Sequence, residues 1–466
     1  MPSLSRTLSE WIVNLRFEDL PPDVIDRAKG LTLHAISSIL IGSQTPAGKE
    51  AIALFVEEEQ GVRNGATILV SGQKVTKGGA AFANSEMCYS GGKWDTFRML
   101  THPGTSIIPA ALTGSELTSA SGKDYITAIV AAYEVMERMA AEFIPTVMTR
   151  GFHASPVFGI FGAGIATAKL MGFNVEQMNS TIALCASLAS GNLEGQRSGG
   201  KALREGAAVR NAMLAVDLAK RGHPGGETVL EGAAGFYHAY TGNNLGKLTY
   251  SFTGKTSTNL DEITANLGQE WLFLETLYRI YSTAGYNIAH VDITAQLCKQ
   301  HGIKYQDILK IEAVVNWLET QYPSPAFTSR REDIGTAKPA GTAYYTAFGA
   351  VAGGFPETRG IGANPIDTDT PKEVLDLMHK VTLIPSHTMT LFGPRITIFT
   401  NDGKSYTQQG TGREFVWDYN EEVRRILKAK SSFPISEEAF MCIVDFCKDL
   451  HKKDLAKDLI ALTLTH

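Results

Sequence analysis

Three segments of the chain gather histidine, lysine and arginine at places where glycine and proline predict a loop running into a helix. The first runs from Gly91 to Ser106 and contains Asp95, Thr96, Thr101, His102 and Pro103, ahead of the apolar stretch 107–112. Thr105 or Ser106 is the expected N-cap of that helix. His102 then lies near a helix N-terminus, whose partial positive charge disfavours the imidazolium and leaves a neutral ring able to act as a base. The second segment is Arg150-Gly151-Phe152-His153-Ala154-Ser155-Pro156, leading into the apolar run 157–170. The third, from Arg197 to Gly206, opens a helix that continues through Ala219 and carries Lys201 and Arg204, three apart and therefore on one face. Cations at a helix start oppose the macrodipole, and an anion held by free backbone N–H groups, Lys201 and Arg204 would offset this. In such company Lys201 could have a lowered pKa and serve as a base. Taken singly, each segment reads equally well as a surface-loop histidine, a capping loop or a solvated basic turn.

The elements that must hold these groups are helical over most of the first 265 residues. Val24, Ala28, Leu31 and Ala35 recur at steps of four, three and four behind Pro21 and Pro22, a clean helix start. Similar spacing returns at Ile126, Ile129, Tyr133 and Met136, and again at Ala208, Met213, Val216 and Ala219. After the polar stretch 253–259 the pattern changes. Residues 308–317, 380–384 and 395–400 are short and β-branched, and Asn401-Asp402-Gly403 supplies turn chemistry into 405–408, so a hairpin is expected there. Residues 342–352 read as a helix between them, and 421–428 and 436–450 return to helix, the latter with Ser436 as N-cap. The expected architecture is mainly α with a second α+β domain: a large all-helical bundle, residues 1–265 with 406–466, and a smaller α+β domain, residues 266–405.

Composition excludes several classes. The chain has 466 residues, 44% hydrophobic and 20% charged, with 43 Lys+Arg against 48 Asp+Glu and a net charge of -5. These values are those of an ordinary globular protein. No basic tract offers a footprint for a nucleic-acid backbone, so no nucleic-acid partner is expected. The N-terminal stretch lacks a basic region followed by an apolar one, predicting no secretory signal. The most apolar run, 157–168, is broken by Lys169 and falls short of the about 20 residues a membrane span needs. Five scattered cysteines, with no CxxC pair and no histidines at zinc spacing, predict reduced thiols in a cytoplasmic protein without a metal site.

Nucleotide and hydrolase signatures fail. Gly242 to Lys247 is one residue short of a P-loop, and Gly254-Lys255-Thr256 lacks the leading glycine. Gly159, Gly162 and Gly164 fall in the wrong order for a dinucleotide fingerprint, and helix packing explains them better. No GxSxG elbow and no HExxH occurs.

Together the three segments, in this order, resemble the MmgE/PrpD family, which includes 2-methylcitrate dehydratase, cis-aconitate decarboxylase and iminodisuccinate epimerase. The resemblance covers essentially the whole chain. It is carried by Asp95-Thr96 ahead of Thr101-His102-Pro103; by Arg150 to His153 followed by Phe161-Gly162-Ala163; by Lys201 with its spacing to Gly206; and by Arg221-Gly222-His223-Pro224-Gly225 leading to Leu230-Glu231-Gly232 and Gly235-Phe236. It implies a helical domain, an α+β lid domain, a homodimer, and an interdomain site that works on small di- or tricarboxylates with neither metal nor organic cofactor. Family catalytic positions fall on Asp95, Thr96, His102, His153 and Lys201, and Tyr322 in Gln321-Tyr322-Pro323 looks like the lid tyrosine. Lyase members usually read Asp-Phe-Asp-Asp-Thr where this chain has Gly92-Lys93-Trp94-Asp95-Thr96, so two of three carboxylates are gone. The histidine usual three after the lysine is Arg204, a lysine expected near the start of the lid domain is Arg279, and the usual Cys/His-containing segment reads 282–287 without either.

Every activity in this family handles a proton or a carboxylate at a carbon next to carboxylates, where enolate-like charge develops. Arginine, lysine and helix N-termini stabilise that charge, and a neutral histidine or lysine moves the proton. The lost carboxylates and gained arginines favour a cofactor-independent epimerase on a polycarboxylate such as iminodisuccinate. In that reading Lys201 and His102 or His153 exchange the α-proton while Thr96, Arg150, Arg204 and Arg279 bind substrate. The alternative is a dehydratase or decarboxylase on a citrate-, 2-methylcitrate- or cis-aconitate-like acid. A non-catalytic carboxylate-binding protein is a third reading, and retention of His102, His153 and Lys201 counts against it.

Overall fold

The computed structural model describes residues 2–62, 64–194, 200–281, 283–330, 336–355 and 370–465, with Lys201, Ala202 and Arg330 described through their backbone only. In chain order the helices are α1 (Leu4–Asn14), α2 (Pro22–Gly42), α3 (Pro46–Glu59), α4 (Lys77–Ser90), α5 (Pro103–Thr118), α6 (Gly122–Ala140), α7 (Ile144–Thr149), α8 (Ala154–Leu170), α9 (Val175–Leu188), α10 (Gly200–Lys220), α11 (Phe236–Thr241), α12 (Asn287–His301), α13 (Thr342–Ala352), α14 (Lys372–Met378), α15 (Tyr419–Ile426), α16 (Glu437–Lys448) and α17 (Asp458–Leu462). The strands are β1 (Ala66–Thr67), β2 (Lys74–Val75), β3 (Trp94–Thr96), β4 (Leu277–Arg279), β5 (Ile308–Asn316), β6 (Val381–Ser386), β7 (Arg395–Thr400) and β8 (Ser405–Gln409). The protein thus has a large helical domain and a smaller α+β domain.

The helical unit comprises Met1–Leu248, Ser257–Ile280 and Trp417–His466. At its centre α8 is buried along nearly its whole length, so it reads as an unbroken apolar run instead of a stripe. Its glycines let neighbours approach closely. A Cβ at Gly159 would lie 2.6 Å from Ser106 Oγ, one at Gly162 2.6 Å from Ile107 Cγ1, and one at Gly164 2.7 Å from Cys185 Sγ. These three glycines therefore serve the packing of α8 on α5 and α9.

Residues 266–280 pack with the helical unit because a row of buried groups holds them. Arg138 on α6 donates to the carbonyls of Ala265 and Glu270, Glu134 accepts from the Phe273 N–H at 3.0 Å, and Arg27 on α2 donates to the Thr276 carbonyl at 3.1 Å. The segment ends in β4, antiparallel to β3 with Trp94 opposite Arg279 and Asp95 opposite Tyr278. From the far end of the chain α15 returns to α2, where Glu422 meets His34 at 2.7 Å, both fully buried.

The second unit comprises Thr249–Thr256 and Tyr281–Val416. Its sheet has the order β6-β5-β7-β8, with β5 parallel to β6 and the other pairings antiparallel. The β7–β8 hairpin closes with the Thr400 N–H on the Lys404 carbonyl and Gly403 at φ 83°, a left-handed turn position suited to glycine. Because β8 pairs with β7, residues 405–409 belong to this unit. Val291, Ile293 and Leu297 of α12 and Tyr344, Ala347 and Phe348 of α13 pack with Ile311, Ala313, Ile396 and Ile398 to form its core.

Candidate active site in the helical unit

The short β3–β4 ribbon and the start of α5 build the site. Helix α5 begins at Pro103, with His102 as its N-cap at φ -132° and ψ 74°. This corrects the expected cap at Thr105 or Ser106. The cause lies outside the helix: the Asp95 carboxylate accepts the Gly104 N–H at 2.9 Å, satisfying one of the orphan donors, and Pro103 needs no donor at the first position. A Cβ on Gly104 would stand 2.6 Å from Asp95 Oδ2 and 2.7 Å from Tyr133 Oη, so only glycine admits the carboxylate.

Asp95 also accepts the Tyr133 hydroxyl at 2.6 Å and is buried. Burial raises its pKa, opposed by the Tyr133 and Gly104 hydrogen bonds. Its side chain is thereby committed to capping and anchoring. Its carbonyl has another task, since it lies 3.0 Å from His102 Nδ1. A carbonyl can only accept, so Nδ1 carries the hydrogen and, in the neutral ring, Nε2 holds the lone pair. Thr96 Oγ1 stands 3.4 Å from the same Nδ1. The ring rests on Trp94, centroids 4.6 Å apart, and Trp94 in turn stacks on Tyr89 at 4.6 Å. Arg279 lies across the ribbon with its guanidinium 4.1 Å from the Trp94 ring centroid. Asp95, Thr96, His102 and Arg279 are therefore brought together.

A second layer ties α5 to α8 and α10. The His102 N–H donates to Ser155 Oγ at 3.1 Å, and Ser155 Oγ and Ser106 Oγ donate to Glu205 Oε2 at 3.2 and 3.4 Å. Burial raises Glu205 to about 7, against the lowering effects of Arg204 and of these hydroxyls. On α4, Glu86 is also raised to about 7, by burial and then by the Glu205 charge. His153 is the N-cap of α8, fully buried, its N–H bound to the Gly191 carbonyl at 3.0 Å. It stands two residues before Ser155, which binds the His102 backbone, so both histidines occupy helix starts that meet at one point. Arg204 donates to the Asn192 carbonyl at 2.8 Å and thereby braces the segment whose Leu193 N–H binds the Gly151 carbonyl.

Lys201 lies in the first turn of α10, four residues before Glu205 and on the same helical face. Its side chain is outside the described residues, as are Arg197 to Gly199. Arg150 is exposed at the C-cap of α7, and none of the hydrogen bonds above includes it. Tyr322 belongs to the second unit, half-buried before a cis Pro323, with its ring edge toward Tyr286 at 5.8 Å.

Sequence reasoning passed over Lys93, Trp94, Ser155 and Glu205. Glu205 carried a signal, since a lone acid one turn beyond Lys201 shares its face. No cluster of histidine, cysteine or acidic side chains able to hold a metal ion occurs among the described residues. Among them, too, no helix is long and apolar enough to cross a membrane.

Comparison with known proteins places these features in context. The chain is similar to the cis-aconitate decarboxylase-like protein oryM of Aspergillus oryzae, 26% identical over 297 residues, covering 61% of this chain and 59% of that protein. It is equally similar to a cis-aconitate decarboxylase of Aspergillus terreus, 26% identical over 288 residues, covering 60% of this chain and 56% of the relative. The aligned part thus spans less than two thirds of either relative. The MmgE/PrpD N-terminal domain matches residues 6–248, the stretch that carries His102, His153 and Lys201. With more than half its length matched in this way, the chain belongs to the MmgE/PrpD family.

Proposed function

We propose that the protein is a lyase that decarboxylates a small unsaturated tricarboxylate of the cis-aconitate type. The observation that carries the chemistry is His102, whose Nδ1–H is held by the Asp95 carbonyl so that Nε2 is the proton-carrying atom. Loss of carbon dioxide leaves an electron pair that must take a proton on carbon. Tricarboxylate plus one proton therefore gives dicarboxylate plus carbon dioxide. His102 in its protonated form supplies that proton, and Arg279, behind Trp94, offers charge to a neighbouring carboxylate. The reaction type is drawn from the Aspergillus relatives, which carry decarboxylase names. They favour the alternative weighed in the sequence over epimerisation of an iminodisuccinate-like acid.

The test is incubation with cis-aconitate in D2O, followed by proton NMR. The expected result is a dicarboxylate with one carboxylate fewer and one deuterium on carbon. The His102→Gln variant should be slower by about 100-fold or more, the contribution usual for a positioned general acid or base. Deuterium exchange with inversion at carbon and no carbon dioxide would establish the epimerase instead. Unaltered turnover in His102→Gln would remove His102 from the mechanism.

A further inference from the structure

Lys93 immediately precedes the ribbon strand β3, and its backbone N–H is fixed by Ser38 Oγ on α2 at 3.2 Å. Its ammonium is buried, with the residue 3% exposed, and Nζ has no hydrogen-bond partner among the described residues. Burial, and then repulsion by the Arg279 guanidinium, lower its pKa to about 8. Arg279 is itself buried at 8% exposure and lies over Trp94, the residue next to Lys93 and the support of the His102 ring. The acid nearest in sequence, Asp95, is spent on Gly104 and Tyr133. The titratable groups on packed elements include Asp26 and His34 of α2, the latter paired with Glu422 of α15, Tyr89 of α4 stacked on Trp94, Tyr278 of β4 and His102 ahead of α5.

Withdrawing an ammonium from water without a partner costs several kcal/mol, and a second cation close by adds to the cost. Loss of the Lys93 proton relieves that cost, and so would an anion arriving beside the two cations. We propose that Lys93 and Arg279 form the seat for one carboxylate of the substrate, on the Trp94 side of His102. The seat rests on the reading of this site as one for polycarboxylates, but not on which reaction follows. Arg279 supplies a planar fork of donors and Lys93 a compact charge that completes the carboxylate's second oxygen. Bound carboxylate favours the charged amine, so binding above the resting pKa of Lys93 must draw a proton from solution.

The probe is tricarballylate, a saturated tricarboxylate with no bond to break, titrated calorimetrically into the full chain at about pH 8.5 in buffers of different ionisation enthalpy. The expected result is binding with net proton uptake. Lys93→Met should weaken binding by about 10- to 100-fold and abolish the uptake, whereas Lys93→Arg should restore affinity without uptake. The Lys93→Arg arm keeps the test valid should the methionine variant fold poorly, because proton uptake is the readout a merely structural lysine would not supply. Equal affinity and equal uptake in a folded Lys93→Met, uptake persisting in Lys93→Arg, or no binding of the probe to the unaltered protein would each overturn the seat. Lys93-dependent binding without any turnover of cis-aconitate would sink the decarboxylase reading alone. Turnover with an unchanged KM in Lys93→Met would sink the seat alone.

Discussion

Replacing Glu86 by glutamine should stabilise the protein, and by an amount that depends on pH in a definite way. Glu86 lies on α4, 1% exposed, and neither carboxyl oxygen has a hydrogen-bond partner among the described residues. Burial, with the charge of Glu205 added, raises it from 4.5 to about 7. Below the lower value the folded and unfolded chains both hold the proton, and the side chain is neutral in its effect. As pH climbs from the lower value to the higher, the unfolded chain gives up its proton and the folded chain keeps it, so stability falls. Above the higher value both are ionised and the loss levels off. A displacement of this size corresponds to roughly 3 kcal/mol. Glutamine has the shape of the protonated acid and no proton to lose. Glu86→Gln should therefore match the parent at about pH 4 and exceed it by roughly 3 kcal/mol at about pH 8, read by urea unfolding followed through tryptophan fluorescence. Removing the Glu86 charge also eases ionisation of Glu205, so adding Glu205→Gln should gain less than a second full increment. An advantage that does not grow with pH, or a variant less stable than the parent at the higher pH, would refute the reasoning.

Two further outcomes follow from the same packing. Asp95→Ala removes the cap of Gly104 and the acceptor of a buried tyrosine hydroxyl, and should cost about 2–4 kcal/mol, while Asp95→Asn retains an acceptor and should cost less than half of that by the same unfolding assay. Gly162→Ala places a methyl 2.6 Å from Ile107 and should lower stability by about 1–3 kcal/mol, against little change for Gly226→Ala, where an added methyl meets nothing within 4 Å.

Much of the fold was open to reading because it is local. Helix α13 spans the stretch its apolar pattern marks, Ser436 caps α16 through the Ala439 N–H, and the Asn401–Gly403 turn joins β7 to β8. The glycines of α8 were separable from a nucleotide fingerprint by their order alone. The β3–β4 ribbon was not legible, since three residues carry no periodicity and their partner strand lies far along the chain. The start of α5 was misplaced for the same reason, because the acceptor that lets it begin at Pro103 is a side chain outside the helix. Lys93 stood in plain view as the neighbour of a lost carboxylate. Its meaning depends on burial and on Arg279 across the ribbon, which no spacing in the sequence encodes.

The helical unit is stitched from three stretches of chain, the last of which begins at Trp417. On a ribosome, this ordering sets a timetable. Helices α1–α11 can form as they emerge, but β3 waits for β4, and buried His34 waits for Glu422, 388 residues later. Until then the apolar flank of α2 and the unpaired edge of β3 are open to other chains, the exposure that invites aggregation and chaperone capture. A premature stop ahead of α15 would thus leave every histidine and lysine of the candidate site translated and yet leave His34 without its buried counter-ion. Loss of the stretch from Trp417 onward, remote in sequence from the chemistry, would act on this protein as a defect of its helical unit.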